Sequence, residues 1–133
     1  MRLTKKQAAA LNAAREAAMD ATHASALATY GKLIAAAKEY SDAISAPCNG
    51  GYKFPEDGDP EWDAAESAFG KLVAARAAYR AAFEARAEAT LNFDVETAYE
   101  SGKSVAEAVE VGISAYAALE AAAERALAET STK

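Results

Sequence analysis

The chain has one histidine and one cysteine, His23 and Cys48, the residue types best suited to proton transfer and nucleophilic attack near neutral pH. A catalytic Cys–His pair needs both groups within hydrogen-bond reach and a third group that orients the imidazole. Nothing in the sequence around either residue indicates that third group. We therefore predict no catalytic residues and a protein that is not an enzyme, with His23 on an apolar helix face and Cys48 in a loop.

Two short segments have parts of ligand-binding motifs. Residues 101–104, Ser-Gly-Lys-Ser, match the end of a phosphate-binding loop, but Thr97 stands where that loop requires its first glycine. Residues 57–61 alternate acids as a calcium loop does, but Trp62 and Ala68 occupy the positions of its glycine and its glutamate. The sequence therefore predicts no cofactor and no metal, and turns and helix caps explain both segments.

Residues 94–112 place a glycine turn between two helical segments, as a helix-turn-helix motif does. The second segment carries Glu107 and Glu110 where a DNA-reading helix carries basic or amide side chains. The net charge of −6 also disfavours a phosphate backbone as a partner. We expect no direct contact with nucleic acid. One alternative stays open, a nucleic-acid-binding bundle that uses Lys71, Arg76, Arg80 and Arg86.

Alanine accounts for 39 of the 133 residues, whereas leucine, isoleucine, valine and phenylalanine together number 20. A low share of large apolar side chains with a net negative charge is typical of disordered chains. Alanine favours order here, because it is the strongest helix former and loses no side-chain entropy on folding. Composition therefore indicates an all-α protein whose helices pack through small side chains.

The predicted fold is a long antiparallel hairpin of two helices, about 4–45 and 60–90, followed by a short helix and a long C-terminal helix. Together they form a three- or four-helix bundle, a single domain over 1–133. A proline- and glycine-rich loop is predicted over 46–59, and residues 130–133 are expected to fray. Gly31 is a possible bend in the first helix.

The predicted helix starts rest on capping residues. Thr4 with Gln7 and Ser104 with Glu107 have the spacing of capping boxes, and Asp59 and Asp94 are expected at N-cap positions. Apolar residues at alternating steps of three and four predict the packing seams. The predicted seams are Met19, His23, Ala26, Tyr30, Leu33, Ala37, Tyr40 and Ile44 in the first helix; Trp62, Ala65, Phe69, Leu72, Arg76, Tyr79, Phe83 and Arg86 in the second; and Val105, Val109, Gly112, Tyr116, Leu119, Ala123 and Ala126 in the last.

The expected compartment is the cytoplasm. A lone cysteine rules out an internal disulfide, which disfavours a secreted scaffold. Asn12, Arg15 and Glu16 interrupt the alanine run that follows the basic N-terminus, so we expect no signal peptide. No stretch of the sequence approaches 18 uncharged apolar residues, so we expect no membrane span.

Two features are candidate partner-binding sites. The long loop carries Tyr52, Lys53 and Phe54 beside Glu56, Asp57 and Asp59, and exposed aromatics among charges are typical of contact surfaces. The other interpretation is that the two rings cover the end of the hairpin. Glu96, Glu100, Glu107 and Glu110 are expected to form a negative strip, which either attracts a basic partner or is an ordinary solvated face.

These features favour a non-enzymatic interaction protein that binds another protein or a nucleoprotein complex with a basic surface. In character it is similar to phage-encoded inhibitors such as anti-CRISPR proteins, which are often small, acidic and helical. The main alternative is a structural module that self-associates through alanine-rich helices, as a homodimer or a larger assembly. Direct nucleic-acid binding is the third hypothesis, and no membrane partner is expected.

Overall fold

The structure, a computed structural model, describes residues 1–49, 60–91 and 94–131, with no side-chain description for 46–49. The described residues form four helices and no strand. The helices are α1 (Lys5–Asn49), α2 (Pro60–Thr90), α3 (Val95–Glu100) and α4 (Val105–Ser131). The two long helices pack together, which confirms the predicted all-α helical bundle.

Most helix bounds agree with the sequence prediction. Helix α2 begins and ends where expected, and α1 is helical through Gly31 without a break. Helix α1 ends at Asn49, so Cys48 lies in its last turn rather than in a loop. Helix α4 continues to Ser131, and the hydroxyls of Thr130 and Ser131 donate to the carbonyls four residues earlier, at 2.7 and 2.9 Å. The expectation that 130–133 fray stays a prediction, and 132–133 lie outside the described residues.

Both predicted capping boxes are present. The Thr4 amide donates to Gln7 Oε1 at 2.9 Å, and the Gln7 amide donates to Thr4 Oγ1 at 3.1 Å. Asp94 stands at the predicted N-cap position of α3, but its backbone takes a left-handed φ of 74° and its side chain makes no cap hydrogen bond. The predicted Asp59 cap lies outside the described residues.

A glycine turn ends α3. Gly102 has φ 98°, a left-handed conformation that glycine adopts without steric cost. Its amide donates to the Tyr99 carbonyl at 3.1 Å, and the Lys103 amide donates to the Ala98 carbonyl at 3.3 Å. This pair of bonds is the Schellman arrangement, and it satisfies carbonyls that the end of α3 leaves free.

The chain divides into two compact units, each of which takes a part of both long helices. Unit 1 comprises residues 1–28 and 81–133, and unit 2 comprises residues 29–80. The core of unit 1 consists of buried residues from all four helices: Leu11, Ala18, Ala89, Val95, Ala98, Ala108 and Tyr116. Alanine therefore supplies more than half of this core, as the composition predicts.

Helix α4 approaches its neighbours most closely at Gly112. A Cβ on this residue would overlap the side chain of Val95 and would lie 3.1 Å from Leu11 Cδ1. Val95 is fully buried, so it has no room to move away. One turn further along α4, the buried Tyr116 hydroxyl donates to the Leu91 carbonyl, beyond the end of α2. The predicted α4 seam is confirmed, since each of its residues is buried or half-buried.

In unit 2, α1 and α2 run antiparallel. The ring centroids of Tyr30 and Tyr79 lie 5.4 Å apart, as do those of Tyr40 and Phe69, so residue numbers rise along one helix as they fall along the other. A side-chain ion pair joins the same two helices, with Lys71 Nζ 2.9 Å from Glu39 Oε1. The predicted antiparallel direction of the hairpin is confirmed within this unit.

The inner stripes of the long helices are lined by smaller residues than the predicted seams. On α1 the buried residues are Leu11, Ala18, Thr22 and Ser25 in unit 1 and Thr29 and Ala36 in unit 2, so from Ala18 onward the predicted seam is wrong by one position. His23 and Tyr30, which were predicted to pack, are exposed. The Thr22 hydroxyl donates to the Met19 carbonyl at 3.1 Å, so a polar residue is buried with its hydrogen bond made.

On α2 the predicted seam combines two different faces. Ala65 and Leu72 are buried, and Tyr79 is half-buried. Phe69, Arg76 and Phe83 are exposed, and Ala68 and Ala82 take their place in the interior. The inner α2 stripe in unit 2, at alternating steps of three and four, is therefore Ala65, Ala68, Leu72, Ala75 and Tyr79.

The close contact at Gly112 predicts that Gly112→Ala destabilises the protein. We expect the free energy of unfolding to fall by about 1–3 kcal/mol, the usual effect of overpacking, although alanine is the better helix former. Urea denaturation followed by circular dichroism measures this change.

Gly31→Ala and Gly70→Ala are matched controls, because nothing lies within 4 Å of a Cβ at either site. Each control should raise the free energy of unfolding by roughly 0.5–1 kcal/mol. A Gly112→Ala protein that is stabilised like the controls would show that α4 does not need the close approach.

The Tyr116 hydroxyl predicts a second stability effect. Tyr116→Phe keeps the buried ring but leaves the Leu91 carbonyl without its donor, so we expect a loss of about 1–3 kcal/mol in the same assay.

Burial raises the pKa of Tyr116 above its usual 10.0. The neutral form of Tyr116 is therefore favoured in the folded state. The stabilisation that its hydroxyl contributes to folding is complete below pH ~10 and is lost as the pH rises through the raised pKa. The difference in melting temperature between wild type and Tyr116→Phe should accordingly shrink in strong alkali. A difference that grows with pH would contradict this assignment.

Candidate interaction surfaces

The acidic residues predicted as a strip all lie on the surface of unit 1. Glu96 and Glu100 are exposed on α3 at a spacing of four, on one side of that helix. Glu107 and Glu110 are exposed near the start of α4. Among the residues that the structure describes, Glu96, Glu100 and Glu110 make no ion pair. These three carboxylates are therefore available to a basic partner.

Glu107 has a structural role that sets it apart. Its amide donates to Ser104 Oγ at 3.2 Å, and its Oε1 accepts from the Ser104 amide at 3.2 Å. The hydrogen bonds with the Ser104 side chain and backbone, and then the charge of Lys103, lower the pKa of Glu107. The carboxylate of Glu107 is thus engaged in starting α4.

Unit 1 also differs from unit 2 in charge. Residues 81–133 hold ten acidic and four basic side chains, and residues 1–28 hold two acidic and four basic ones. The described helices of unit 2, residues 29–49 and 60–80, hold five of each. Unit 1 therefore carries a net charge of −4, whereas the described part of unit 2 is neutral.

The second predicted site falls on the loop. Its partner-binding candidates, Tyr52, Lys53, Phe54, Glu56, Asp57 and Asp59, lie outside the described residues. Both interpretations of this loop, a contact element and a cover for the hairpin end, therefore stay predictions.

Unit 2 has a face that the sequence prediction did not assign to the surface. Four large apolar side chains are about half exposed there: Tyr30 at 48%, Ile34 at 53%, Phe69 at 48% and Val73 at 46%. Half the area of four such side chains amounts to a few hundred Å², about the size of the largest apolar patch on a typical monomer, which is often functional.

These exposed side chains lie on one side of the hairpin. A cleft of about 230 Å³ is lined by Tyr40 and Ile44 of α1 and by Trp62, Ala65, Glu66 and Phe69 of α2. Ile34 and Ile44 lie five residues before and after Glu39 on α1, so both point away from the side on which Glu39 pairs with Lys71. Val73 follows Phe69 by one turn on α2. The cleft and the exposed patch therefore form a continuous apolar face of unit 2.

The basic residues of the nucleic-acid alternative do not form one group. Lys71 is held by Glu39 on the opposite side of α2 from the apolar face, whereas Arg76 and Arg80 are exposed and make no ion pair with a described residue. Arg86 is half-buried, and its Nε is buried. The four basic residues therefore point to different sides of α2 and do not form one cluster.

The described ranges, 1–49, 60–91 and 94–131, contain no group of three or more histidine, cysteine, aspartate or glutamate side chains that could hold a metal ion. Within the same ranges, no helix combines the length and the apolar character that crossing a membrane requires. Comparison with known protein families, with curated proteins and with solved structures found no match to this chain.

A signal for the unpredicted face was present in the sequence. Trp62, Glu66, Phe69, Val73, Arg76 and Arg80 follow one another at steps of four and three, which is the spacing of a helix seam. The sequence also contains the inner α2 stripe at the same spacing. The local sequence pattern did not show which of the two stripes faces inward, because each contains aromatic residues.

The Ser104–Glu107 cap predicts a pH-dependent contribution to stability. Ser104→Ala removes the Oγ acceptor and should lower the free energy of unfolding by about 1 kcal/mol at pH 7. Because the folded-state pKa of Glu107 is lowered, the part of this contribution that involves the Glu107 carboxylate is complete above the ordinary carboxyl pKa and is lost as pH falls through the lowered value. The bond from the Glu107 amide to Ser104 Oγ does not titrate, so thermal melts of wild type and variant from pH 7 to pH 3 should draw closer in acid without coinciding. Thr4→Ala, which removes the hydroxyl of the other capping box, is the matched comparison, since Gln7 does not titrate.

Proposed function

We propose that this chain is a non-enzymatic interaction protein whose unit 1 binds a basic surface of a cytoplasmic protein or nucleoprotein complex. The observation that carries the proposal is the set of exposed carboxylates on α3 and α4, of which Glu96, Glu100 and Glu110 make no ion pair with a described residue. Their charge is uncompensated within the unit, so a basic partner gains the full attraction.

The physical role of this surface is attraction and orientation. Exposed carboxylates contribute to the rate of association and to the choice of partner more than to the final affinity. Unit 1 carries −4 of the total net charge of −6, and the described helices of unit 2 are neutral, so this asymmetry favours one docking orientation. In the more specific form of the proposal, the protein is a phage-type inhibitor that covers a nucleic-acid-binding surface on its partner.

The triple variant Glu96→Lys, Glu100→Lys, Glu110→Lys tests the proposal without disturbing the α4 cap. We expect affinity capture from the native host to recover a basic partner with the wild type and at least tenfold less with this variant. We also expect capture to weaken as salt rises, because exposed charges more than about 10 Å apart are screened at ~0.1 M.

The control reverses three acids in unit 2, Glu39→Lys, Asp42→Lys and Asp63→Lys, and produces the same change in net charge. It breaks only exposed ion pairs, which contribute about 0–1 kcal/mol each. Equal loss of the partner in both variants would mean that net charge, and not the α3–α4 surface, governs binding. Capture that is insensitive to salt and to both variants would rule out the proposal.

A further inference from the structure

The apolar face of unit 2 has one exposed stripe whose order of residues is symmetric. We define the outer α2 stripe as Trp62, Glu66, Phe69, Val73, Arg76 and Arg80. The steps between these residues are four, three, four, three and four, which read the same in both directions. Such a stripe superimposes on itself when a two-fold axis crosses the helix midway between Phe69 and Val73.

We infer that the outer α2 stripe is the interface of a homodimer, in which α2 packs antiparallel against α2 of a second copy. A two-fold interface is isologous, so each residue meets the one at the same distance on the other side of the axis. Phe69 then meets Val73 of the second copy. Glu66 meets Arg76, and Trp62 meets Arg80.

Each of these pairs is chemically complementary. Phe69 and Val73 are about half exposed and would cover each other's apolar surface at the centre of the contact. Glu66 and Arg76 are exposed, and neither makes an ion pair with a described residue, so both charges are available to the second copy. The half-buried Trp62 ring accepts a cation at its face, which the Arg80 guanidinium supplies.

Charge also favours a second copy over another kind of partner on this face. Five acidic and five basic side chains balance on the described helices of unit 2, so two such surfaces meet without net repulsion. The stripe spans 19 residues from Trp62 to Arg80, about 27 Å of helix at ~1.5 Å per residue. Tyr30 and Ile34 of α1 extend the apolar contact beside it.

The inner stripe is not available for this contact. Ala65, Ala68 and Leu72 are buried within each chain. Self-association through the alanine-rich seams, as the sequence suggested, would therefore require the hairpin to open. The outer stripe lets folded copies associate with both long helices in place.

Charge reversal tests the pairing directly. Sedimentation equilibrium of the full chain should show a reversible dimer for the wild type. Glu66→Arg alone or Arg76→Glu alone should each weaken the dimer by roughly tenfold or more, because two like-charged pairs then face each other across the axis. Circular dichroism should show unchanged helix content, since both side chains are exposed.

Two combinations distinguish this geometry from general surface effects. A mixture of the two single variants should form a heterodimer, because the arginine introduced at position 66 of one chain then meets the glutamate introduced at position 76 of the other. The double variant, Glu66→Arg with Arg76→Glu in one chain, should recover the homodimer. Lys71→Glu is the matched control, a charge reversal on the opposite side of α2, and should leave dimerisation unchanged.

A wild type that remains monomeric to millimolar concentration would overturn the inference. Single variants that dimerise as well as the wild type would also overturn it, as would a mixture that does not recover association. These outcomes do not bear on the proposed function, because its carboxylates lie on unit 1 and its assay reports a different partner.

Discussion

Small side chains at the contact between α1 and α2 are the constraint on which the rest of the structure depends. Helix axes approach to the lower end of the usual distance, about 8 Å, only where side chains at the contact are short. The inner α2 stripe meets this condition with Ala65 and Ala68, and α1 meets it with Ala36 and with the buried hydroxyl residues Thr22, Ser25 and Thr29. A larger side chain at these positions would separate the helices.

This packing decides where the aromatic residues go. Alanines at the centre of the contact leave little space for rings, so the rings of Tyr30 and Phe69 lie beside it and remain half exposed. They contact Tyr79 and Tyr40 across the hairpin, which contributes about 0.5–1.5 kcal/mol per pair beyond the buried area. Because these rings lie beside the helix contact and not within it, they stabilise the edge of the hairpin and also form part of the apolar face of unit 2. Packing and interaction surface therefore have a common cause.

Unit 1 packs differently from unit 2, because α3 and α4 add large side chains to its core. Tyr116 brings a ring into the interior, and its hydroxyl satisfies the Leu91 carbonyl beyond the end of α2. Gly112 lets α4 lie close against Val95 and Leu11. With the apolar side of these helices buried, their glutamates are left on the surface. The two units thus differ both in how they pack and in what they expose, an acidic surface in one and a neutral apolar face in the other.

The sequence by itself determined the helices and their local signals. Alanine content predicts helix, and the Thr4–Gln7 and Ser104–Glu107 caps were readable because capping depends on residues three apart. The α4 seam was also predicted correctly, since valines and a tyrosine follow one spacing on a helix with a single apolar face.

Only the tertiary structure decided which of two stripes on α2 faces inward, and it shifted the α1 seam by one residue. Hydrophobicity ranks Phe69 above Ala68 and Tyr30 above Thr29, so a reading of single helices places the large residue inside. Two helices in contact reverse that ranking, because the close approach of their backbones favours the smaller side chain.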